Sequence, residues 1–277
     1  MMYAIMYGLT IGAILYLISI GLSLTFGTMR VVNFAHTITY TVGAYILIAS
    51  VRALGIPFWW GGLLAVLVAA LAGYCIERLV IRRLYGESLD YTFIATYAVF
   101  LIGVDIVKWI WGVYPKPISD PIGRVADLGL MVFPIYRILV IFLALLVFFG
   151  LELFIKKTMV GKIIVAALDY KEGVRCLGIG VEKYFAIAFV VGSLLAALGG
   201  VLYAPITAVH PYMGLHVLLL CFAVVLTGGM GNLRGTFSAA FVLGMLISIV
   251  GRYWPAGSEI VVFMAMAAVL FLRPIDI

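Results

Sequence analysis

The chain has 277 residues, of which 66% are hydrophobic and only 11% are charged, and its net charge is +6. This composition excludes an ordinary soluble domain, in which about a quarter of the residues are charged. The long apolar runs lack the alternation of membrane strands, so they predict an all-α, polytopic membrane helix bundle. The positive charge then reflects which loops carry lysine and arginine, and no nucleic-acid partner is expected.

Apolar segments follow one another along a single membrane domain, residues 1–277, and predict about eight or nine membrane segments. The first, 3–26, has no basic residue before it, so a permanent helix is expected rather than a cleaved signal peptide. The second, 37–51, is hardly long enough to span a bilayer, so it is either half of a broken pair or a re-entrant element. The remaining predicted spans are 57–76, 91–111, 134–155, 184–204, 215–227, 236–250 and 258–272.

Basic residues predict the orientation of these segments. Lysine and arginine collect on the cytoplasmic side of membrane proteins. The cluster of Arg78, Arg82 and Arg83 and the central polar segment, 156–183, are therefore expected to be cytoplasmic, with the proline-containing loop 112–133 outside. Arg273 agrees if four crossings follow the central segment. The side of the N-terminus stays open at this stage.

The central polar segment is the longest polar interval in the chain. Its apolar residues recur at alternating steps of four and three, which predicts one amphipathic helix over 163–177 with these residues on one face: Ile163, Ala167, Tyr170, Val174 and Leu177. Gly178 is expected to end the helix, because glycine accepts the left-handed conformation found there. The apolar face docks either on lipid or on another protein, and the residues alone favour neither.

Two polar interruptions stand out among the apolar segments. The first carries Arg30, Asn33, His36 and Thr37, and the second is the glycine-rich run 228–235. Each either lines a path for a zwitterion or is a polar inner loop. Small residues also recur one turn apart, which predicts close packing between helices rather than a substrate path: Gly8 with Gly12, Gly192 with Ala196, Gly200 and Ala204, and Ala240 with Gly244 and Ser248.

Catalytic chemistry is not indicated by any motif. Gly161-Lys162 lacks the earlier glycine and the following hydroxyl residue of a phosphate-binding loop, and the three histidines have no companions at metal-ligand spacing. No catalytic residue, metal site or cofactor of this chain is therefore predicted. Asp105 with Lys108 and Glu152 with Lys156 can pair near helix ends, but the middles of the spans carry almost no acid or base. An external energy source is favoured, and an ion-driven carrier or channel is the alternative.

Four stretches together resemble the LivH-type permease subunits of branched-chain amino acid ABC transporters. They are GLTIGAILYLISIGLSLTFGTMRVVNFAH with GAY after it, the central polar segment, TGGMGNLRG, and LFLRP near the C-terminus. The resemblance covers nearly the whole chain. It implies a multi-pass protein of a bacterial-type inner membrane that works with a second permease, two cytoplasmic ATPases that bind ATP and Mg²⁺, and an extracytoplasmic solute-binding protein.

The resemblance also implies roles for particular residues. The central polar segment is similar to the loop that couples such permeases to their ATPases, through Ile163, Ala167, Asp169, Tyr170, Glu172, Val174, Leu177 and Gly178. We place a second set of residues near the translocation path: Asn33, His36, Thr37, Gly228, Gly229 and Asn232. Thr37 and the Gly173-Val174 pair depart from the family pattern, which suggests a divergent member; related permeases move other amino acids, urea, short amides or aromatic acids.

Overall fold

The computed structural model describes residues 1–29, 33–127, 129 and 131–272. Eleven α-helices and two short strands lie within these residues: α1 Met2–Met29, α2 His36–Arg52, α3 Phe58–Leu79, α4 Leu89–Trp111, β1 Val125–Asp127, β2 Val132–Pro134, α5 Ile135–Lys157, α6 Met159–Asp169, α7 Lys171–Cys176, α8 Val181–Tyr203, α9 Met213–Gly228, α10 Leu233–Tyr253 and α11 Ser258–Leu272. The predicted all-α membrane bundle is confirmed. Within these residues, seven helical segments are long and apolar enough to cross a bilayer, and the last of them, Pro255–Leu272, is α11 together with the 3-10 turn that precedes it. The helices α2 and α9 stand alone and have 17 and 16 residues.

The core of the bundle is built around α1, which packs against α8, α10, α5 and α9. Its middle is almost completely buried, and α2, held among α3, α8 and α9, is buried along most of its length. By contrast, few residues of α4, α5 and α11 are buried. The helices α1 and α2 thus form the centre of the bundle, and neither has a polar face or an exposed face along most of its length. The surrounding helices separate them from lipid.

Small residues form the closest contacts between these helices. A Cβ atom built on Gly21 of α1 would lie 2.5 Å from the carbonyl oxygen of Gly192 in α8. One built on Gly244 of α10 would lie 2.5 Å from the Cα of Gly12, and Ser248 donates a 2.7 Å hydrogen bond to the carbonyl of Ala4. The predicted stripes are therefore packing seams, in which missing side chains let the backbones approach each other.

Contacts at both ends of α1 show where the N-terminus lies relative to the loops. The ring of Tyr7 packs edge-on against Phe133, 5.4 Å away, so α1 starts beside the loop predicted to be external. Its other end packs near α6, in the central polar segment. We call the end with the 112–134 loop the outer end and the end with α6 and α7 the inner end. Thus α1 crosses from outer to inner, and α2 returns to the outer end, where Arg52 donates to the carbonyl of Pro117.

The outer loop contains a small element that the sequence did not predict. β1 and β2 pair in antiparallel register, with Ala126 opposite Phe133, and Lys116 forms an isolated bridge with Val209. The first pairing closes the loop on itself, and the second ties the loop to the connection between α8 and α9. The first residue of α11, Ser258, packs beside Gly251 at the outer end of α10. The helix α11 therefore runs from the outer end toward the inner end, where Leu272 is its last residue. Arg273 lies outside the described residues.

Candidate functional site

The central polar segment forms two helices, and the prediction of one continuous helix over 163–177 is wrong. Thr158 caps α6 by accepting a 3.0 Å hydrogen bond from the amide of Gly161, so α6 begins before Ile163. The backbone leaves the helical region at Tyr170, at φ −149° and ψ 85°, and α7 starts at the next residue. A periodic pattern of apolar residues continues through the break, which explains why the pattern alone suggests a single helix.

The break separates the predicted apolar face into a buried and an exposed part. Ala167 and Val174 are buried in a small inner cluster with Val181 and Phe185 of α8, and Ile163 packs against that cluster. In contrast, Tyr170 and Leu177 are 69% and 77% exposed. The prediction that all five residues share one face is therefore wrong. Of these five residues, Tyr170 and Leu177 present apolar surface away from this chain.

Other predicted residues of this segment have distinct positions. Glu172 is exposed and lies 3.6 Å from Arg175, which also bonds Glu182 of α8 at 2.6 Å. Both acids raise the pKa of the Arg175 guanidinium, with the hydrogen bond to Glu182 as the main cause. Gly178 has a φ of +76° just after α7, so its predicted role as the helix stop is confirmed. The side chain of Asp169 lies outside the described part of the chain.

Gly173, a departure from the family pattern, has a neighbour that explains it. A Cβ atom on this residue would collide with the ring of Tyr170, which lies directly over α7. The glycine therefore makes room for the tyrosine that ends α6. This pairing of Tyr170 with Gly173 gives the divergent sequence a local structural reason.

A buried acid links this segment to the rest of the inner end, and sequence reasoning missed it. Glu77, in the last turn of α3, is only 1% exposed, and its Oε1 accepts a 2.8 Å hydrogen bond from the hydroxyl of Tyr85. The Tyr85 ring packs edge-on against Phe185 of the inner cluster, at 5.6 Å. Burial, followed by the bond to Glu77, raises the pKa of the Tyr85 hydroxyl, so it stays a donor. In the sequence, Glu77 is simply an acidic residue next to Arg78, and nothing there indicates that it is buried or that Tyr85 is its partner.

The first polar interruption brings its predicted residues inside the bundle. Nε2 of His36 bonds the carbonyl of Ile18 in α1 at 2.9 Å, and its ring lies beside Gly21, where a Cβ would come within 2.8 Å. Asn33 is buried, and neither atom of its amide has a hydrogen-bond partner within the described residues. Thr37 is also buried and bonds the carbonyl of Phe34 at 3.4 Å. Arg30 lies outside the described residues. A buried amide without a partner is costly unless water or a ligand reaches it.

The second interruption forms a tight turn at the inner end. The backbones of Gly228 and Gly235 touch, because neither has a side chain, and Gly229 adopts a φ of +87°. Asn232 is exposed, and its Oδ1 accepts a 3.1 Å bond from the amide of Gly235, which caps α10. This turn contacts α1 at Ser23, whose hydroxyl accepts from the amide of Gly231 at 3.1 Å. The two interruptions therefore contact α1 at separate places.

Replacing Asn232 by alanine is expected to lower the free energy of unfolding by about 1 kcal/mol, because the amide of Gly235 loses its acceptor. Thermal unfolding of the purified protein in detergent measures this change. Asn232→Asp is the matched control, since it keeps the acceptor oxygen and should retain the original stability. Equal destabilisation by both substitutions would contradict the capping role.

A family model described as "Branched-chain amino acid transport system / permease component" matches residues 4–272 of this chain. The chain belongs to this permease family. Among its relatives, the high-affinity branched-chain amino acid permease LivH of Escherichia coli strain K12 is 25% identical over 98% of this chain and 92% of its own length. BraD of Pseudomonas aeruginosa is 26% identical over 98% and 93%, and the probable LivH of Methanocaldococcus jannaschii is 26% identical over 96% and 90%.

A solved structure supports the fold of this permease. The chain is similar to a chain of PsaBC from Streptococcus pneumoniae in complex with Fab, with a TM-score of 0.51 over 98% of this chain and 90% of the other. Their sequence identity is 12%, so this likeness concerns the fold alone.

Family membership confirms several predictions made from the resemblance. The protein is a multi-pass permease of the inner membrane, and it is a transport subunit rather than an ATPase. The ABC permease is supported over the alternative of an ion-driven carrier or channel.

Proposed function

We propose that this permease is one of two membrane subunits of an ATP-driven importer for branched-chain amino acids or related small solutes. Two cytoplasmic ATPases would supply the energy and bind ATP and Mg²⁺, and an extracytoplasmic solute-binding protein would deliver the solute. The observation that carries this proposal is the exposure of Tyr170 and Leu177 at the inner end, on helices anchored to the bundle by a separate buried face. Large apolar side chains exposed together in this way are typical of a docking surface.

The two faces of α6 and α7 suggest how coupling works. Tyr170, Glu172, Leu177 and Gly178 would contact a groove on an ATPase, in the way that a helix docks through a few anchors. Ile163, Ala167 and Val174 hold the same helices on α8. A movement of α6 and α7 would then pass through Phe185 and Tyr85 to Glu77 in α3. Closure of the ATPases around nucleotide would thereby switch the bundle between outward and inward access.

Co-purification tests the proposed function. The tagged permease, expressed together with its neighbouring transport genes, is expected to retain ATPase subunits, and transport into vesicles is expected to need ATP. A permease that purifies without any ATPase, and that transports in ATP-free vesicles under an ion gradient, would contradict the proposal.

Replacing Tyr85 by phenylalanine is expected to lower the amount of solute transported per ATP hydrolysed severalfold. The change keeps the ring on Phe185 but leaves the buried carboxylate of Glu77 without the Tyr85 donor, which costs about 1–3 kcal/mol. Transport and ATP hydrolysis are measured together in proteoliposomes. Tyr74→Phe is the control, because the Tyr74 hydroxyl accepts its 2.9 Å bond from Arg78 at an exposed position. An unchanged ratio in Tyr85→Phe would remove Tyr85 from the coupling route.

The translocation path is proposed to pass near the buried amide of Asn33. His36 and Thr37 follow it at the start of α2, and Gly228, Gly229 and Asn232 form the turn at the inner end of the path. A water-accessible path would supply the partners that the Asn33 amide lacks among the described residues.

Substitutions Asn33→Leu and His36→Gln test this placement and are expected to change the transport rate or the order of preferred solutes. Ser50→Ala is the control, because this buried hydroxyl bonds the carbonyl of Ile46 within α2, near the outer end. Unaltered transport rates and solute preferences in both path variants would contradict the placement. The solute itself is best identified by binding measurements on the companion solute-binding protein.

A further inference from the structure

Arg137, in the first turn of α5, places a guanidinium among the outer ends of three helices. The central carbon of this group lies 4.5 Å from the centre of the Tyr7 ring in α1, and the hydroxyl of Tyr203 at the outer end of α8 is near it. The side chain is half-buried. A cation–π contact holds a guanidinium in place but supplies no oxygen acceptor for its five N–H donors.

The acids at the outer end do not supply that acceptor. Within the described part of the chain, all four are engaged elsewhere: Asp105 with Lys108, Glu259 with His216, and Asp120 and Asp127 with amides of their own turns. The Arg137 guanidinium therefore has no ion pair within these residues, and a charge partly removed from water is costly without one. The first turn of α5, at the positive end of the helix dipole, adds to that cost.

The Arg137 side chain is directed into the bundle rather than toward lipid. Val140 and Ala144 follow it by three and seven residues, so they share its face of α5, and both are fully buried. Phe142 and Leu146, on the opposite face, are 62% and 55% exposed. An arginine that only anchored α5 in the headgroup layer would be expected on that exposed face.

A buried hydroxyl lies farther in from this guanidinium. The ring of Tyr203 is 6.3 Å from the ring of Tyr40 in α2. Tyr40 is completely buried, and its hydroxyl has no hydrogen-bond partner within the described residues, which is costly unless water or a ligand reaches it. It follows His36 by one turn of α2. Arg137, Tyr203 and Tyr40 thus form a row of polar groups from the outer end toward the proposed translocation path.

We propose that Arg137 is the outer recognition residue of the translocation path and binds the carboxylate of the transported solute. The inference rests on the proposed function and narrows its solute class to molecules with a carboxylate, such as amino acids, so that urea and simple amides are excluded. A guanidinium presents paired N–H donors that match the two oxygens of a carboxylate. A phosphate group offers similar oxygens, so a lipid headgroup is the competing occupant.

Phenylglyoxal, which modifies accessible arginine side chains, tests this site in the unaltered protein. The complete transporter is labelled in lipid nanodiscs and in detergent, with leucine or with leucinamide, in which an amide replaces the carboxylate. Mass spectrometry follows the modification of Arg137 and of Arg252, an exposed arginine at the outer end of α10. We expect leucine to slow the modification of Arg137 severalfold, leucinamide to have no effect, and Arg252 to react equally in all samples.

Arg137→Gln is expected to lower leucine uptake about tenfold, because the solute loses a charge-assisted hydrogen bond. Uptake is measured in proteoliposomes that contain the ATPases and a saturating amount of the solute-binding protein. Arg137→Lys keeps the charge but not the paired donors, so its uptake should lie between the two. Arg252→Gln is the matched control, since it removes the same charge at the outer end and is expected to leave uptake unchanged.

The outcomes separate the two occupants and the two proposals. Modification of Arg137 at the same rate with and without leucine overturns the inference, and slower modification in nanodiscs than in detergent then assigns the guanidinium to a lipid phosphate. Equal protection by leucinamide, or full leucine uptake by Arg137→Gln, overturns it as well. In each case a transporter that contains its ATPases leaves the proposed function intact, whereas a permease that purifies without any ATPase contradicts the proposed function itself.

Discussion

Replacement of Leu177 by aspartate is expected to weaken the binding of the ATPase subunits by about 30-fold, because an apolar side chain buried at a docking surface contributes about 2 kcal/mol. Leu177 is 77% exposed at the inner end, so the change leaves the permease fold itself intact. ATP-dependent transport should fall with it. Tyr170→Asp is expected to act in the same direction, since Tyr170 is another large, exposed side chain of this segment.

Binding of purified ATPase to the permease in nanodiscs measures this effect directly. Tyr114→Asp is the control, because Tyr114 is equally exposed but lies in the loop at the opposite end of the bundle from α6 and α7. Val174 is unsuitable for the test, since it is buried in the inner cluster and a charge there would destabilise the segment itself. Full ATPase binding and coupled transport by Leu177→Asp and Tyr170→Asp would contradict the proposed coupling surface.

Replacement of Gly200 by alanine is expected to destabilise the permease by more than about 2 kcal/mol, since overpacking a tight contact forces the backbone to move. A Cβ atom on Gly200 of α8 would collide with the carbonyl oxygen of Tyr40 in α2 and lie 3.0 Å from its carbonyl carbon. The helices α8 and α2 would have to separate at this point. Thermal unfolding and the yield of monodisperse protein in detergent report the loss.

Gly150→Ala is the matched control for this prediction. It makes the same change in the middle of another membrane helix, α5, where no atom lies within 4 Å of the added Cβ. Because glycine is a poor helix former, this variant is expected to gain up to about 1 kcal/mol. Equal stability of the two variants would show that the contact between α8 and α2 tolerates a side chain.

The membrane segments were predictable from the sequence because a bilayer leaves the backbone few alternatives. The apolar runs at 3–26 and 184–204 correspond to α1 and α8, and the short run at 37–51 corresponds to the short helix α2. Gly178 was predictable as a helix stop for a local reason, its tolerance of positive φ. In each case the physical cause lies within the segment itself or in the solvent around it.

The candidate site was less predictable because its contacts join distant parts of the chain. Apolar spacing alone assigned Val174 and Leu177 to one face, but the break at Tyr170 buries the first and exposes the second. Nothing local identifies Tyr85 as the partner of Glu77, or Glu259 as the partner of His216. Such pairs depend on which helices become neighbours, and hydropathy carries no information about that choice.

The sequence by itself therefore determined that this protein is a helical membrane permease, where its membrane helices lie, and which segment resembles a coupling loop. Only the tertiary structure decided which side chains of that segment are free to meet a partner and which hold it to α8. It also showed that α1 and α2 form the centre. The reason is physical: hydropathy and backbone hydrogen bonding act locally, whereas burial is decided by the packing of helices far apart in the chain.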